Sequence, residues 1–285
     1  MPCIAPVDIE NKKWVIGTTR FISVPCGKCP ECLKRRSGQW AFRLQQEYRR
    51  ADTAAFLTLT YSPENVPYTK CGLPSLDRQS HQKFMKRLRK NTTTNQKYKY
   101  YAVGEYGTET QRPHYHSILF NLPPDYLRPT WNEEAGIWTF DKLEKIWQEG
   151  HVHVLPYNAA RVRYVTNYLQ KNIRQENPDD PREREFSNMS KGIGENYLTP
   201  NIKAYYKKKL TPYILHQGGE KMSMPRYYKN KLYNKKELEI INKESKKFMD
   251  ENMSTTREEF RQEVEIIKDI IRKADRRNRE KRKFV

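Results

Sequence analysis

The chain has 285 residues and a formal net charge of +20, with 54 lysines and arginines against 34 aspartates and glutamates. That length can bury one or two hydrophobic cores, and the positive excess predicts a polyanionic partner, with a nucleic acid favoured over a membrane surface. There is no run of 18 or more apolar residues and no secretory signal pattern. We therefore expect no membrane association, a cytoplasmic location and reduced cysteines.

Three cysteines recur at two-residue spacing within the stretch Pro25–Cys32. Thiols so placed in a cytosolic protein commonly bind metal, and a closed zinc site needs a fourth ligand, which Cys3 or Cys71 could supply. An iron–sulfur cluster is less favoured because the fourth cysteine of the usual ferredoxin run is missing. Partly buried free thiols are the alternative. The candidate ligands of a structural zinc ion are Cys3, Cys26, Cys29 and Cys32.

The hydrophobic pattern from residue 30 predicts helices and strands that alternate along the chain. Residues 30–51 and 75–91 have helical periodicity, the second with Ser75 as N-cap, and 54–61 and 97–106 read as central strands. A polar turn then leads into a strand that ends at Phe120, so these last two strands should form an antiparallel hairpin. The later predicted elements are a Pro-rich surface segment over 123–137, a helix over 138–149, a strand over 151–154, a helix over 158–173 and a mobile loop over 174–196.

The composition changes at residue 197, where tyrosines and lysines interleave. We expect one domain over 1–196, which includes the cysteine cluster, and a basic, Tyr-rich helical extension over 197–285 that ends in two helices joined near 253–255. Basic residues beside aromatic ones suit a nucleic-acid groove, although a solvated charged face is the alternative. The residues that we expect to contact DNA are Arg35, Arg36, Lys86, Arg87, Lys207 and Lys208.

Two histidines and a glutamate are predicted to meet in the hairpin. His114 and His116 are two residues apart in a strand and so share one face. The hairpin brings Glu105 close to His114, which gives a three-ligand metal site with open positions. Such ligands suit Mn²⁺ or Mg²⁺, and geometry alone does not exclude Zn²⁺. His151 and His153 repeat the spacing but lack an acidic neighbour on a paired strand, so we expect them to be structural.

Two tyrosines should lie on one face of the helix over 158–173. Tyr164 and Tyr168 are four residues apart, and Lys171 is one turn further on. A phenol with a pKa of about 10 attacks phosphorus only if a base or a nearby cation helps it. The resulting phosphotyrosine ester would let a DNA 3′-hydroxyl reverse the step, and the second tyrosine could cut while the first is esterified. Core packing of the two rings is the alternative.

These stretches resemble the motifs of the HUH endonuclease superfamily, named for two histidines separated by a bulky hydrophobic residue, here Tyr115. Phe56–Tyr61 looks like its first motif and Arg112–His116 like its second. Tyr164–Lys171 is similar to the third motif in its two-tyrosine version, and the lysine that ends it matches. Asn167 stands where that version often has a lysine, so the role of a lysine there does not carry over.

More closely, residues 1–230 resemble the replication initiators of gokushovirus-type microviruses. The stretches that carry this resemblance are Met1–Cys3, Pro25–Cys32, Lys34–Arg36, Gly104–Gly107 and Pro225–Tyr228. The family implies an α+β fold with an antiparallel sheet of about five strands flanked by helices. It also implies a rolling-circle initiator that nicks one strand at the phage origin, stays attached to the 5′ end through tyrosine and closes the displaced circle.

The leading hypothesis is therefore an origin-nicking and strand-joining enzyme that uses Mn²⁺ or Mg²⁺ in the cytoplasm of a bacterial host. A transposase or relaxase of the same chemistry is one alternative, and a non-enzymatic basic zinc protein that coats single-stranded nucleic acid is another. The sequence shows no phosphate-binding loop of the Walker type. Unwinding would then need a host helicase, with a host polymerase as a further partner.

Overall fold

The computed structural model describes Cys3, residues 5–12, Val15 and residues 20–92, 97–171, 179–215 and 221–252, with the side chains of 169–171 and 244–252 left out. The helices are α1 (Pro30–Tyr48), α2 (Arg78–Asn91), α3 (Asp141–Trp147), α4 (Ala159–Lys171), α5 (Pro200–Lys209), α6 (Arg226–Leu232) and α7 (Lys235–Asn252). The strands are β1 (Val7–Glu10), β2 (Phe21–Val24), β3 (Ala54–Tyr61), β4 (Lys99–Tyr106), β5 (Pro113–Phe120), β6 (Thr130–Asn132), β7 (Ile137–Thr139), β8 (Gly150–Pro156), β9 (Phe186–Met189), β10 (Tyr213–Leu215) and β11 (Lys221–Ser223).

Five strands form the central sheet in the order β8-β3-β5-β4-β9, and every neighbouring pair is antiparallel. Helices cover both faces, so the predicted α+β architecture is confirmed. The predicted hairpin is β4–β5, and its register sets Glu105 opposite His114. Because side chains alternate along a strand, this register decides which residues share each face.

The two faces of the sheet bury different helices. One face packs Leu59 and Tyr115 against α2 and α3, with Phe84 and Trp147 at the centre of this cluster. The other face packs its apolar side chains against α1 and α4; they include Phe56, Tyr101, Val103, Ile118 and Phe120. This second face also carries His114 and His116, since they alternate with Tyr115 along β5. A third cluster joins α5, α6 and α7 to α1 through Phe42.

Three sequence predictions were wrong in detail. Helix α2 begins at Arg78, where Asp77 Oδ1 accepts a hydrogen bond from the Gln79 amide at 2.8 Å; Ser75 is not the cap. Residues 137–139 form β7 in a small hairpin with β6, which leaves only a short α3. The loop predicted over 174–196 contains β9, the fifth strand of the sheet. This strand escaped notice because it is a short edge strand with a single buried apolar residue, Phe186.

The C-terminal region is helical from α5 to α7, with the short β10–β11 hairpin between. The last helix predicted from the sequence, beyond residue 253, lies outside the described residues. Among the helices that the structure describes, none combines the length and apolar character that crossing a bilayer requires.

His81 on α2 is fully buried, and its ring lies 5.0 Å from that of Tyr100. Neither ring nitrogen has a hydrogen-bond partner among the described residues, and burial lowers the pKa of this imidazole to about 4. Below about pH 6.5 the unfolded chain takes up a proton that the folded chain refuses, so stability falls as the pH drops from about 6.5 towards 4.

We predict that His81→Leu abolishes this loss. Urea unfolding at pH 7.5 and 5.0 should show that the wild-type chain loses about 2 kcal/mol more than the variant between the two pH values. An equal pH dependence in His81→Leu and the wild type would contradict the assignment.

Candidate active site

Glu105, His114 and His116 come together on the second face of the sheet, as their spacing predicted. The Nε2 atoms of both histidines lie 2.8 Å from Glu105 Oε1. The glutamate is only 2% exposed, whereas the two imidazoles are partly open to solvent. The three side chains therefore present ligand atoms at one point beside the surface.

The other nitrogen of each imidazole is held by its own partner. His114 Nδ1 lies 3.1 Å from the carbonyl oxygen of Arg112, and His116 Nδ1 lies 3.0 Å from Thr58 Oγ1. A carbonyl only accepts, so His114 Nδ1 carries a hydrogen, and Nε2 of the neutral ring would direct a lone pair at the carboxylate. Two lone pairs at that distance require a cation between them, which is either a proton or a metal ion. Partners at Nδ1 commonly orient histidines that ligate metal through Nε2.

The residues present fit a divalent metal ion. Their ligand atoms all lie within 4.8 Å of one another. The second carboxylate oxygen, Glu105 Oε2, is buried and has no hydrogen-bond partner in the part of the chain that the structure describes. A buried oxygen without a partner is costly, and a bound cation would satisfy it. Two nitrogens and a carboxylate leave coordination positions for a substrate.

The electrostatics of this cluster favour a charged carboxylate. Burial alone would raise the pKa of Glu105, but the hydrogen bonds with His114 and His116 outweigh it and lower the pKa to about 2. For His114, burial lowers the pKa, yet the bond to Glu105 outweighs it and leaves the pKa above its ordinary value. The site is therefore anionic wherever these histidines are neutral.

Helix α4 places both tyrosines next to this cluster. The Tyr164 hydroxyl donates to Glu105 Oε1 at 2.7 Å, and its ring lies 5.2 Å from that of His116. The Tyr168 ring lies 6.3 Å from that of Tyr164, and its hydroxyl donates to Glu185 Oε1 at 2.7 Å. The strand and the helix thus face each other, which the sequence left open.

Glu185 is a site residue that sequence reasoning missed. The register of β4 with β9 pairs Gly104 with Phe186, so the next residues, Glu105 and Glu185, lie beside each other at the strand ends. Glu185 Oε1 also accepts from the Tyr106 amide at 3.1 Å. No motif marks this residue, and only the pairing of β9 brings it to the tyrosines.

Burial and the two carboxylates raise the pKa of both phenols above the ordinary value for tyrosine. Burial raises the pKa of Tyr164 most, and the hydrogen bond to Glu105 raises it further. The pKa of Tyr168 is raised by burial, by the charge of Glu105 and by the hydrogen bond to Glu185. Neither phenolate forms readily in this environment unless a cation offsets the negative charge.

Helix α1 forms side-chain hydrogen bonds with α4, the tyrosine helix that carries Tyr164 and Tyr168. The Ser37 hydroxyl lies 2.6 Å from Asn167 Oδ1 and 3.0 Å from Thr166 Oγ1. Asn167 therefore contacts α1. The side chain of Lys171 lies outside the described residues, so its catalytic role stays a prediction.

The family model for replication-associated protein ORF2/G2P matches residues 54–173. Replication-associated protein ORF2 of Spiroplasma virus 4 is 32% identical over 78% of this chain and 70% of its own length. The chain belongs to this family of phage replication-associated proteins. Replication-associated protein VP4 of Bdellovibrio phage phiMH2K is 26% identical over 81% of this chain and 76% of its own length. Replication-associated protein ORF4 of Chlamydia phage 1 is 28% identical over 73% of this chain and 53% of its own length. No solved structure matches the chain.

The family match begins at β3 and ends just after α4, so it contains both histidines and both tyrosines. The rival pair, His151 and His153, lies within it too. Thr60 pairs with both His114 and His151, so the four histidines share one face of the sheet. His151 is exposed, and its acidic neighbour, Glu144 at 3.6 Å, comes from α3 rather than from a paired strand.

Two of the basic residues expected to contact DNA lie on the opposite side of the sheet, on α2. Lys86 is exposed there. Arg87 donates to the carbonyl oxygens of Ile146, at 2.6 Å, and Trp147, and so caps the last turn of α3. These hydrogen bonds give Arg87 a structural role that does not involve DNA, and its contact with DNA stays a prediction.

The other basic residues lie on α1 and α5 of this replication-associated protein. Arg36 is exposed on α1, the helix that packs along α4, and Arg35 lies one residue before it with its guanidinium beside the cysteine cluster. On α5, Lys208 is exposed, whereas Lys207 forms an ion pair with Glu237 at 2.6 Å. The exposed members of this set are accessible to phosphates, and their contact with DNA stays a prediction.

Proposed function

We propose that this protein is a rolling-circle replication initiator that nicks one DNA strand through a 5′-phosphotyrosine intermediate and rejoins the displaced strand. The observation that carries the proposal is the convergence of the Tyr164 hydroxyl and two histidine nitrogens on one oxygen, Glu105 Oε1. A nucleophile thereby lies beside a set of metal ligands on a basic protein of a phage replication family.

In this proposal three residues bind the metal ion and Tyr164 supplies the nucleophile. His114, His116 and Glu105 would hold a divalent cation, Mn²⁺ or Mg²⁺ in our proposal, which when bound polarises the scissile phosphate and offsets charge in the transition state. The hydrogen bond to Glu105 holds the Tyr164 oxygen at the ligand set. Because the reacting group is already placed, little orientational freedom is lost in the step.

Cleavage forms a bond between a tyrosine oxygen and the phosphorus and breaks the bond from phosphorus to the 3′-oxygen. The phenol loses its proton, and the 3′-oxygen leaves with one. In rejoining, a 3′-hydroxyl attacks the phosphotyrosine ester and releases the phenol. Tyr168 lies close enough to Tyr164, with ring centroids 6.3 Å apart, to open a second phosphodiester while the first ester persists.

The remaining parts of the proposal rest on the family and on charge. The partners would be origin DNA, a host helicase and a host polymerase, and the reaction would take place in the bacterial cytoplasm. The exposed basic residues of α1 and α5 would contact phosphates. We also propose that residues 1–196 form the nuclease domain and that 197–285 form a DNA-binding extension.

The test is covalent capture of DNA. The purified protein with Mn²⁺ is incubated with labelled single strands that tile the phage genome encoding it, and the products are separated under denaturing conditions. We expect a labelled protein band with one strand only, and mass spectrometry should place the nucleotide on Tyr164 or Tyr168. Binding without any adduct would instead favour a protein that coats single-stranded DNA.

Glu185 should act as a positioning residue for Tyr168. Removing the acceptor in Glu185→Ala should lower the share of adduct on Tyr168 about tenfold, since a hydrogen bond to a charged group is worth about 1.5–3 kcal/mol. Adduct on Tyr164 should stay within about twofold of the wild type. The measurement is the ratio of the two nucleotide-bearing peptides by mass spectrometry.

Two further variants serve as controls for Glu185. Glu185→Gln keeps an acceptor oxygen and should restore most of the adduct on Tyr168. Glu183→Ala removes a nearby exposed carboxylate that pairs with Arg78, and it should leave the ratio unchanged. If Glu185→Ala lowers both adducts equally, the residue supports the sheet and does not position Tyr168.

A further inference from the structure

Four cysteine thiols gather at the start of α1, far along the chain from the histidine site. Cys3 Sγ lies 3.5 Å from Cys26 Sγ and 3.8 Å from Cys29 Sγ. With Cys32, all four sulfurs lie within 4.8 Å of one another, and the fifth cysteine, Cys71, is exposed and outside the group. Sulfurs bound to a tetrahedral zinc ion at about 2.3 Å would lie about 3.8 Å apart. The spacing fits one ion, and it exceeds the length of about 2.05 Å that a disulfide requires.

Three backbone amides around Cys26 donate hydrogen bonds to sulfur atoms of the cluster. The amides of Lys28 and Cys29 donate to Cys26 Sγ at 3.4 and 3.3 Å, and the Cys26 amide donates to Cys3 Sγ at 3.3 Å. Gly27 makes this loop possible because its φ of +74° lies in the left-handed region. Hydrogen bonds from backbone amides stabilise thiolates, which are the form that binds metal.

Helix α1 and a guanidinium add positive potential to the cluster. Cys29 is the N-cap residue of α1, and Cys32 lies in its first turn, where the helix dipole favours negative charge. Arg35 Nη2 lies 3.6 Å from Cys32 Sγ. Four thiolates around one divalent ion carry a net charge of about −2, and these groups offset part of it.

The described residues of the N-terminal segment bury little apolar surface. The β1–β2 hairpin pairs Val7 with Val24 and Glu10 with Phe21. Its side chains are mostly exposed, Phe21 by 53%, and none of the described residues before α1 belongs to the three apolar clusters. A two-stranded hairpin is marginal in water by itself, and so small a unit usually depends on a metal or a disulfide.

We propose that Cys3, Cys26, Cys29 and Cys32 bind one structural Zn²⁺ ion that fastens the N-terminal hairpin to the start of α1. Four protein ligands close the coordination sphere, so the site has no position for a substrate. On binding, the thiols lose their protons to solvent and four S–Zn bonds form. The ion would also hold the basic first turns of α1 in place where that helix packs on the tyrosine helix. The proposal does not depend on the nicking activity.

The first experiment measures metal in the full chain. After EDTA dialysis, elemental analysis should find one zinc per chain in a His114→Ala/His116→Ala background, which removes the histidine site as a source. Cys71→Ser in that background should keep the zinc, and Cys29→Ser should lose it. Zinc that persists in Cys29→Ser, or zinc absent from the parent, would overturn the proposal.

The second experiment identifies the ligands. Co²⁺ substituted into the parent should give the sulfur-to-metal charge-transfer and tetrahedral bands of a four-thiolate site, and a mercurial reagent should release the ion in proportion to the thiols titrated. If Cys29→Ser fails to fold, these measurements on the His114→Ala/His116→Ala parent still show whether the four cysteines bind zinc. An iron–sulfur absorption band, disulfides among the four cysteines, or Co²⁺ bands without sulfur character would each refute the zinc site.

Discussion

The double variant Tyr164→Phe/Tyr168→Phe is expected to form no covalent adduct with DNA, with cleavage reduced by about 10⁴-fold or more, as when a nucleophile is removed from other enzymes. Phenylalanine keeps the rings that pack against the sheet, where Tyr168 belongs to the apolar cluster under α4. It removes only the two hydroxyls that bond to Glu105 and Glu185. The fold and the affinity for DNA should therefore survive.

The single variants should differ, because the two hydroxyls occupy different places. Tyr164 is 42% exposed and bonds to Glu105, one of the three proposed metal ligands, whereas Tyr168 is 4% exposed and bonds to Glu185, which is not one of them. We expect Tyr164 to cut first. Tyr164→Phe should then lose most of the first cleavage, and Tyr168→Phe should still cut once but fail to release a closed circle.

The control for both is Tyr157→Phe, since the Tyr157 ring stacks on Tyr48 and lies beside Phe120. Adduct yield is measured on denaturing gels, and circle release is measured on a substrate with two origins. An adduct that persists in the double variant would show that another residue is the nucleophile. Equal defects in both single variants would contradict the order proposed here.

The sequence predicted the convergence of His114, His116 and Glu105 because the rules that govern it are local. A strand alternates its side chains with period two, which put His114 and His116 on one face, and a short polar turn forced the hairpin that set Glu105 opposite His114. Helical spacing likewise paired Tyr164 with Tyr168. None of these steps needed knowledge of distant parts of the chain.

What the sequence did not predict depends on contacts between distant segments. Glu185 reaches Tyr168 only because β9 pairs with β4, and β9 has too few apolar residues to show a strand pattern. Ser75 has the chemistry of an N-cap, but Asp77 takes that role, and the Ser75 hydroxyl accepts from the Glu183 amide instead. The sequence alone suggests that Arg87 contacts DNA, whereas in the structure its guanidinium donates to a carbonyl oxygen at the end of α3. The partners of these residues depend on how distant segments pack together, and local sequence patterns do not show that packing.

Replacing both His114 and His116 by alanine should remove metal-dependent cleavage, by about 10³-fold, since a bound cation contributes several kcal/mol to the stability of a phosphoryl transition state. The variant leaves Glu105 as the one remaining ligand of the three, and one carboxylate holds a divalent ion weakly. Binding of Mn²⁺, followed by electron paramagnetic resonance, should therefore fall in parallel with cleavage, while DNA affinity stays within about threefold.

The matched control is His151→Ala/His153→Ala, because this pair has the same spacing, lies on the same face of the sheet and is exposed. It removes the same number of imidazoles without touching Glu105. If both double variants lose cleavage but only the first loses Mn²⁺ binding, the β8 pair contacts DNA. Full cleavage in His114→Ala/His116→Ala would rule out the metal site. Cleavage lost without loss of Mn²⁺ binding would mean that the histidines act on the DNA directly, because the cation would then be held elsewhere.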